Sequence, residues 1–226
     1  MNSFDQHIIS FFDTLKSDWQ LPNGIDLIYP FGDPYVKSLL HSFVNKFYCG
    51  KDQRVFLFGI NPGRFGAGVT GIPFTDPIAL NDHCDIDNTA PRKYELSSIF
   101  VYEVINAMGG PEAFYKQFYI SSLCPLGFVK DGKNYNYYDD KMLYNSVESH
   151  MVTAIEYQIS QFCNRDIAFS MGQGKNFKVF KDLNDKHQWF KEIQPLPHPR
   201  WVMQYKRKTK QVYLDEYVDK LSKHCV

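Results

Sequence analysis

Apolar positions recur along this chain with two different periods. Between residues 4 and 16, Phe4, Ile8, Phe11, Phe12 and Leu15 share one face at helical spacing. Val36, Leu39, Leu40, Phe43, Val44 and Phe47 repeat that spacing after Asp33-Pro34. That dipeptide has the form of an N-cap with proline at the first helical position. Residues 54–60, RVFLFGI, are instead an unbroken apolar run between polar Lys51-Asp52-Gln53 and Asn61-Pro62-Gly63. This is the pattern of a strand buried on both faces. Further strands are predicted at 117–123, 166–170 and 189–194. Helices are predicted at about 93–108, closing at Gly109-Gly110, and at about 140–162, 174–183 and 210–222. Residues 76–90 are acidic and read as an irregular surface loop.

Strands alternating with helices imply an α/β fold. The expectation is a single-domain three-layer α/β/α architecture over residues 1–226, with a central, mainly parallel four-stranded sheet. Helices at about 4–48 precede a core at about 50–222. Such sheets bind ligands outside the carboxyl ends of their strands. The loops 60–75, 122–128, 171–174 and 195–201 all follow predicted strands, so they should converge on one cleft.

Charge and cysteine content narrow the classes. Lys and Arg total 25, as do Asp and Glu, and the isoelectric point is about 7.0. That balance argues against a protein that coats nucleic acid and leaves room for a local basic patch. The cysteines (Cys49, Cys84, Cys124, Cys163, Cys225) are odd in number and widely spaced, with no CxxC pair. A zinc ribbon or iron–sulfur cluster is therefore not expected, and reduced thiols fit a cytoplasmic protein. His83-Cys84-Asp85 with Asp87 is better read as acidic loop than as a metal site, and no cofactor is expected. There is no basic-then-apolar leader pattern and no apolar run of membrane-spanning length, so no membrane partner is expected. A monomer is the default.

Candidate chemistry gathers in the strand-following loops. Asn61-Pro62-Gly63 alone would be an ordinary turn. Glycines at 63, 66, 68 and 71 let backbone amides approach a ligand closely, while Pro62 holds the Asn61 side chain at the strand tip. His198 lies between Pro197 and Pro199, and a neutral imidazole there can donate to charge developing on a leaving group. Arg200, Lys206, Arg207, Lys208 and Lys210 follow with no acid among them and with Trp201, Met203 and Tyr205 interleaved. Such a stretch suits phosphate neutralisation beside an apolar wedge, although a bare charge run is more often a solvated face. Ser122, at the end of the second strand, can bond the edge of a base. Cys124 has no evident partner for a nucleophilic role.

Gly59-Ile60-Asn61-Pro62-Gly63, Phe65-Gly66 and Thr70-Gly71-Ile72-Pro73-Phe74 together resemble the first motif of the single-strand-selective monofunctional uracil-DNA glycosylases, family 3 of the uracil-DNA glycosylase superfamily. Cys124-Pro125-Leu126, Met171-Gly172-Gln173-Gly174 and His198-Pro199 resemble later family segments in the same order, over roughly 50–205. A divergent bacterial branch fits best. The resemblance implies roles. Asn61 would position the attacking water, and His198 would stabilise the departing base. Phe74 would stack on the flipped base, and Gly63 would leave space beside a pyrimidine C5. Backbone near Ile60 and Ala67 would line the pocket. Arg200, Trp201, Lys206, Arg207 and Lys208 would meet DNA. The chain departs from the family at Ser122, where an Asn usually reads uracil, at Arg200-Trp201-Val202-Met203 in the second motif, and at Arg64, where Pro is usual. The serine makes hypoxanthine and xanthine candidate substrates beside uracil. The expected function is a monofunctional DNA glycosylase of base excision repair. The alternatives are a catalytically weak damage-binding protein of the same fold, or an enzyme of free nucleosides.

Overall fold

A computed structural model describes residues 3–225. In chain order its elements are α1 (Phe4–Thr14), β1 (Ile25–Ile28), α2 (Pro34–Phe47), β2 (Arg54–Gly59), α3 (Ala67–Thr70), α4 (Pro77–Asp82), α5 (Leu96–Ala107), α6 (Gly110–Gln117), β3 (Phe118–Ser122), β4 (Gly127–Lys130), β5 (Lys133–Tyr135), α7 (Lys141–Ile159), β6 (Cys163–Met171), α8 (Lys175–His187), β7 (Glu192–Leu196), α9 (Pro199–Tyr205) and α10 (Lys210–Ser222). The main sheet is four-stranded and parallel in the order β3-β2-β6-β7, with helices on both faces. β2 is central and buried at every residue, as its unbroken apolar run requires. Its carboxyl end pairs Gly59 with Ser122, which brings two of the candidate loops together.

The four main-sheet strands form where the apolar runs predict, but the last is displaced. Trp189 and Phe190 are buried before β7 rather than within it. The Asn184 side chain explains this: its amide donates to the Phe190 carbonyl and its oxygen accepts the Phe190 N–H, both near 2.9 Å, which turns the chain there. The expected surface loop at 76–90 is corrected. Asp76 caps α4, accepting from the Ile78 and Ala79 amides at 3.0 and 2.8 Å. Ile78, Ala79, Leu80 and Cys84 are buried. The helix expected to close at Gly109-Gly110 ends there, but α6 begins at once, with Gly109 at φ 97°. A second sheet, β1-β4-β5, is antiparallel and was not anticipated. Its β4–β5 turn is Asp131-Gly132, both at positive φ (50° and 68°), as a tight hairpin demands. Gly127 lets this hairpin dock on the Asn-Pro-Gly loop, because a Cβ there would lie 2.2 Å from the Pro62 carbonyl oxygen.

Candidate active site

Beyond β2 and β3 the two chains stay paired: the Leu123 N–H donates to the Gly59 carbonyl (3.0 Å) and the Cys124 N–H to that of Ile60 (3.1 Å). A cleft of about 670 Å³ opens at this edge. Its volume suits a single nucleotide base with its sugar. Asn61, His198, Ile60, Gly63, Ala67, Phe74 and Ser122 all line it. Arg200 and Trp201 line it too, from α9. Lys206, Arg207 and Lys208 do not; they are exposed in the turn after α9, with the Lys206 ammonium 5.6 Å from the Trp201 ring centre. Cys124 is fully buried, and burial pushes its thiol up, which leaves it no nucleophilic role.

Asn61 is held at both ends of its amide. Its Nδ2 donates to the carbonyls of Tyr135 and Pro62, each at 3.3 Å, and its Oδ1 accepts the Tyr137 N–H at 3.2 Å. The β4–β5 hairpin and the residues after it therefore set the side chain's orientation. The tie continues inward. The Tyr137 hydroxyl donates to Asn176 Oδ1 at 2.7 Å, and Asn176 Nδ2 lies 3.4 Å from the Gly59 carbonyl.

His198 is the N-cap of α9, and its Nδ1 accepts the Arg200 N–H at 3.2 Å. A backbone N–H can only donate, so neutral His198 carries its proton on Nε2. Burial, reinforced by the Arg200 charge, holds the imidazole well below its ordinary range, at about 4. At neutral pH it is an uncharged Nε2–H donor. The folded pKa is depressed, so the folded state resists binding a proton that the unfolded chain takes up. The resulting stability is fully present above about pH 6.5 and is lost as pH falls through about 4. The gap from 6.5 to about 4 is worth about 3 kcal/mol. Asparagine also caps helices but does not titrate. Urea midpoints at pH 7.5 and 4.5 should therefore fall further for the wild type than for His198→Asn. Equal falls would show that His198 is not the titrating group.

Phe74 stands at φ 54°, in the left-handed region that a bulky residue seldom occupies. The turn before it enforces this. The buried Thr70 hydroxyl donates to the Thr75 carbonyl at 2.6 Å and accepts the Ile72 N–H at 3.1 Å. The strained backbone lays the ring over the end of β2, its centre 6.4 Å from that of His198. Gly59 is what permits it, since a Cβ there would lie 2.7 Å from the ring. Ser122 lies at the cleft floor, and its hydroxyl has no partner among the described residues.

Sequence reasoning missed several residues here. Glu95 is the single acid lining the cleft among the described residues. Burial pushes its carboxyl up, with Asp76 adding to that, while a bond from Ser97 and the Arg200 charge oppose it. Its carboxylate packs on the glycine loop; a Cβ on Gly66 would lie 1.8 Å from it, so a side chain there would displace the Glu95 carboxylate. Asn134, Asn136, Tyr138 and Asn176 also line the cleft. Asp131-Gly132 was the available signal for the hairpin that carries the first of these; nothing in the spacing marked Glu95. Lys175 lies at the rim, exposed, 5.8 Å from the Tyr138 ring centre.

Residues 46–222 match the Uracil DNA glycosylase superfamily. The chain belongs to that superfamily. Within it, the chain resembles the single-strand selective monofunctional uracil DNA glycosylases of Mus musculus, 26% identical over 136 residues, and Bos taurus, 28% over 102 residues. The mouse match covers 52% of this chain and 48% of the relative, and the cattle match 38% and 37%. The chain thus spans about half the length, or less, of these curated relatives. The crystal structure of wild-type Pedobacter heparinus SMUG2 is 42% identical, with a TM-score of 0.94 over 98% of both chains. The superfamily fold accounts for the parallel sheet and for a cleft built at its carboxyl edge.

Proposed function

We propose that this protein is a monofunctional DNA glycosylase. It takes a deaminated base, uracil first, into the cleft and hydrolyses its N-glycosidic bond, leaving an abasic site. The observation that carries this reading is the fixed His198 Nε2–H donor sharing one cleft with the fixed Asn61 amide. Breaking the bond builds positive charge on the sugar and negative charge on the departing base. A preorganised neutral donor at the base is then worth more than a strong base for water. His198 supplies that donor, Asn61 orients the water, and Phe74 offers a face for stacking. Single-strand selectivity and monofunctional action are stated for the mammalian relatives. Monofunctional action is inferred here because Lys175 is exposed at the rim rather than enclosed among apolar groups that would activate it as an amine nucleophile.

The test is single-turnover cleavage of oligonucleotides carrying one uracil, hypoxanthine or xanthine, read before and after alkali. Alkali-dependent scission at uracil supports the reading, whereas scission without alkali replaces it with a lyase. Binding without any cleavage makes the protein a damage sensor. The same assay tests Ser122. A single hydroxyl reads a base edge less selectively than an amide. Ser122→Asn is therefore expected to raise the uracil-to-hypoxanthine rate ratio roughly tenfold, the worth of about one hydrogen bond. An unmoved ratio removes residue 122 from base reading.

A further inference from the structure

We propose that Arg64, Phe65 and Lys93 form a second DNA-backbone wall, on the glycine-loop side of the cleft and separate from α9. This rests on the glycosylase reading above. Arg64 and Phe65 lie between Gly63 and Ala67, and Lys93 lies two residues before Glu95; these three neighbours all line the cleft. Phe65 is exposed at 37%, an unusual position for a phenyl ring at a loop tip. Two cations crowd this one ring: the Lys93 ammonium at 3.5 Å from its centre and the Arg64 guanidinium at 4.9 Å.

Neither cation has an acidic partner among the described residues, whereas neighbouring Arg92 pairs with Asp82 at 3.6 Å. Arg64 is half-buried, yet none of its side-chain N–H donors meets an acceptor among the described residues, and its Nε is buried unpaired. An unsatisfied guanidinium fork is costly to hold unless an acceptor arrives. Cation–π attraction at an exposed ring offsets only a small part of that cost. Two like charges over one ring also repel each other, and an anion between them removes that repulsion. At the edge of a cleft that receives a nucleotide, the fitting anion is a phosphodiester of the same strand. Phe65 then gives an adjacent base or sugar an apolar surface. The family resemblance does not supply this wall, because Arg64 stands where the family usually has Pro.

The experiment compares DNA binding against salt in an Asn61→Ala background, which slows turnover during the measurement. The probes are a uracil-containing single strand and its duplex. The test protein carries Arg64→Gln and Lys93→Gln. A charge-matched control carries Lys51→Gln and Lys116→Gln, at the opposite, amino end of the strands. Losing two phosphate contacts should make the slope of log affinity against log salt shallower by about 1.8 on duplex and about 1.4 on single strand. The control should keep the parent slope. A test slope equal to the control's overturns the inference while leaving the glycosylase reading intact. A parent protein with no salt-dependent affinity overturns both.

Discussion

Asn61→Ala is expected to slow single-turnover excision of uracil by roughly 10²–10³-fold while DNA affinity stays within a few-fold. The amide is held by Tyr135, Pro62 and Tyr137, so its orientation is fixed before any substrate arrives. Alanine removes that group and leaves the Tyr137 N–H without its acceptor. Unfolding should therefore show a stability loss of about 1–3 kcal/mol beside the kinetic one. Asn61→Asp separates the two effects. Its carboxylate still accepts from the Tyr137 N–H but faces the Tyr135 carbonyl with no donor, so its proton is retained to higher pH. Its rate should rise with pH where the wild-type rate is flat. A full rate in Asn61→Ala would leave the amide without a catalytic role.

His198→Ala is the other large effect, with an expected loss again of roughly 10²–10³-fold in the cleavage step. Alanine removes the Nε2–H donor and the cap on α9 together, and a lost cap costs about 0.5–2 kcal/mol. His198→Asn keeps a capping oxygen in place of Nδ1 but no longer reaches the cleft with the same donor. If the histidine served only to hold α9, the asparagine variant would cleave at the wild-type rate. If it stabilises the departing base, both variants fall together and only the alanine variant melts early. A single-turnover rate untouched in both would remove the leaving-group role.

Much of the frame was legible beforehand because it rests on local physics. β2 needed only its apolar run, and α2 only Asp33-Pro34 ahead of a helical stripe. The same Asp-Pro signal at Asp76-Pro77 was overridden by the acidity of the segment around it, although the cap won in the fold. β1, β4 and β5 span three or four residues each, too few for a period to show. Within the site, Asn61 and His198 were readable because each sits in a turn of constrained sequence, and Phe74 through its resemblance to the family's first motif. Glu95 was not readable, because only the folded chain brings it from before α5 onto Gly66. The protonated nitrogen of His198 was also invisible, since it depends on which ring atom the Arg200 N–H chose.

The docking of the β4–β5 hairpin on the Asn-Pro-Gly loop limits how this candidate site can be moved or altered. The sequence signature that resembles the family's first motif is a short stretch after β2, which looks like a portable module. Its key side chain, however, takes its bearings from Tyr135 and Tyr137, more than seventy positions downstream. Grafting residues 59–74 onto a related scaffold without the matching hairpin would transplant the letters of the motif and leave its amide free to swing. Insertions at Asp131-Gly132, far from Asn61 along the chain, would be felt at the orientation of its amide.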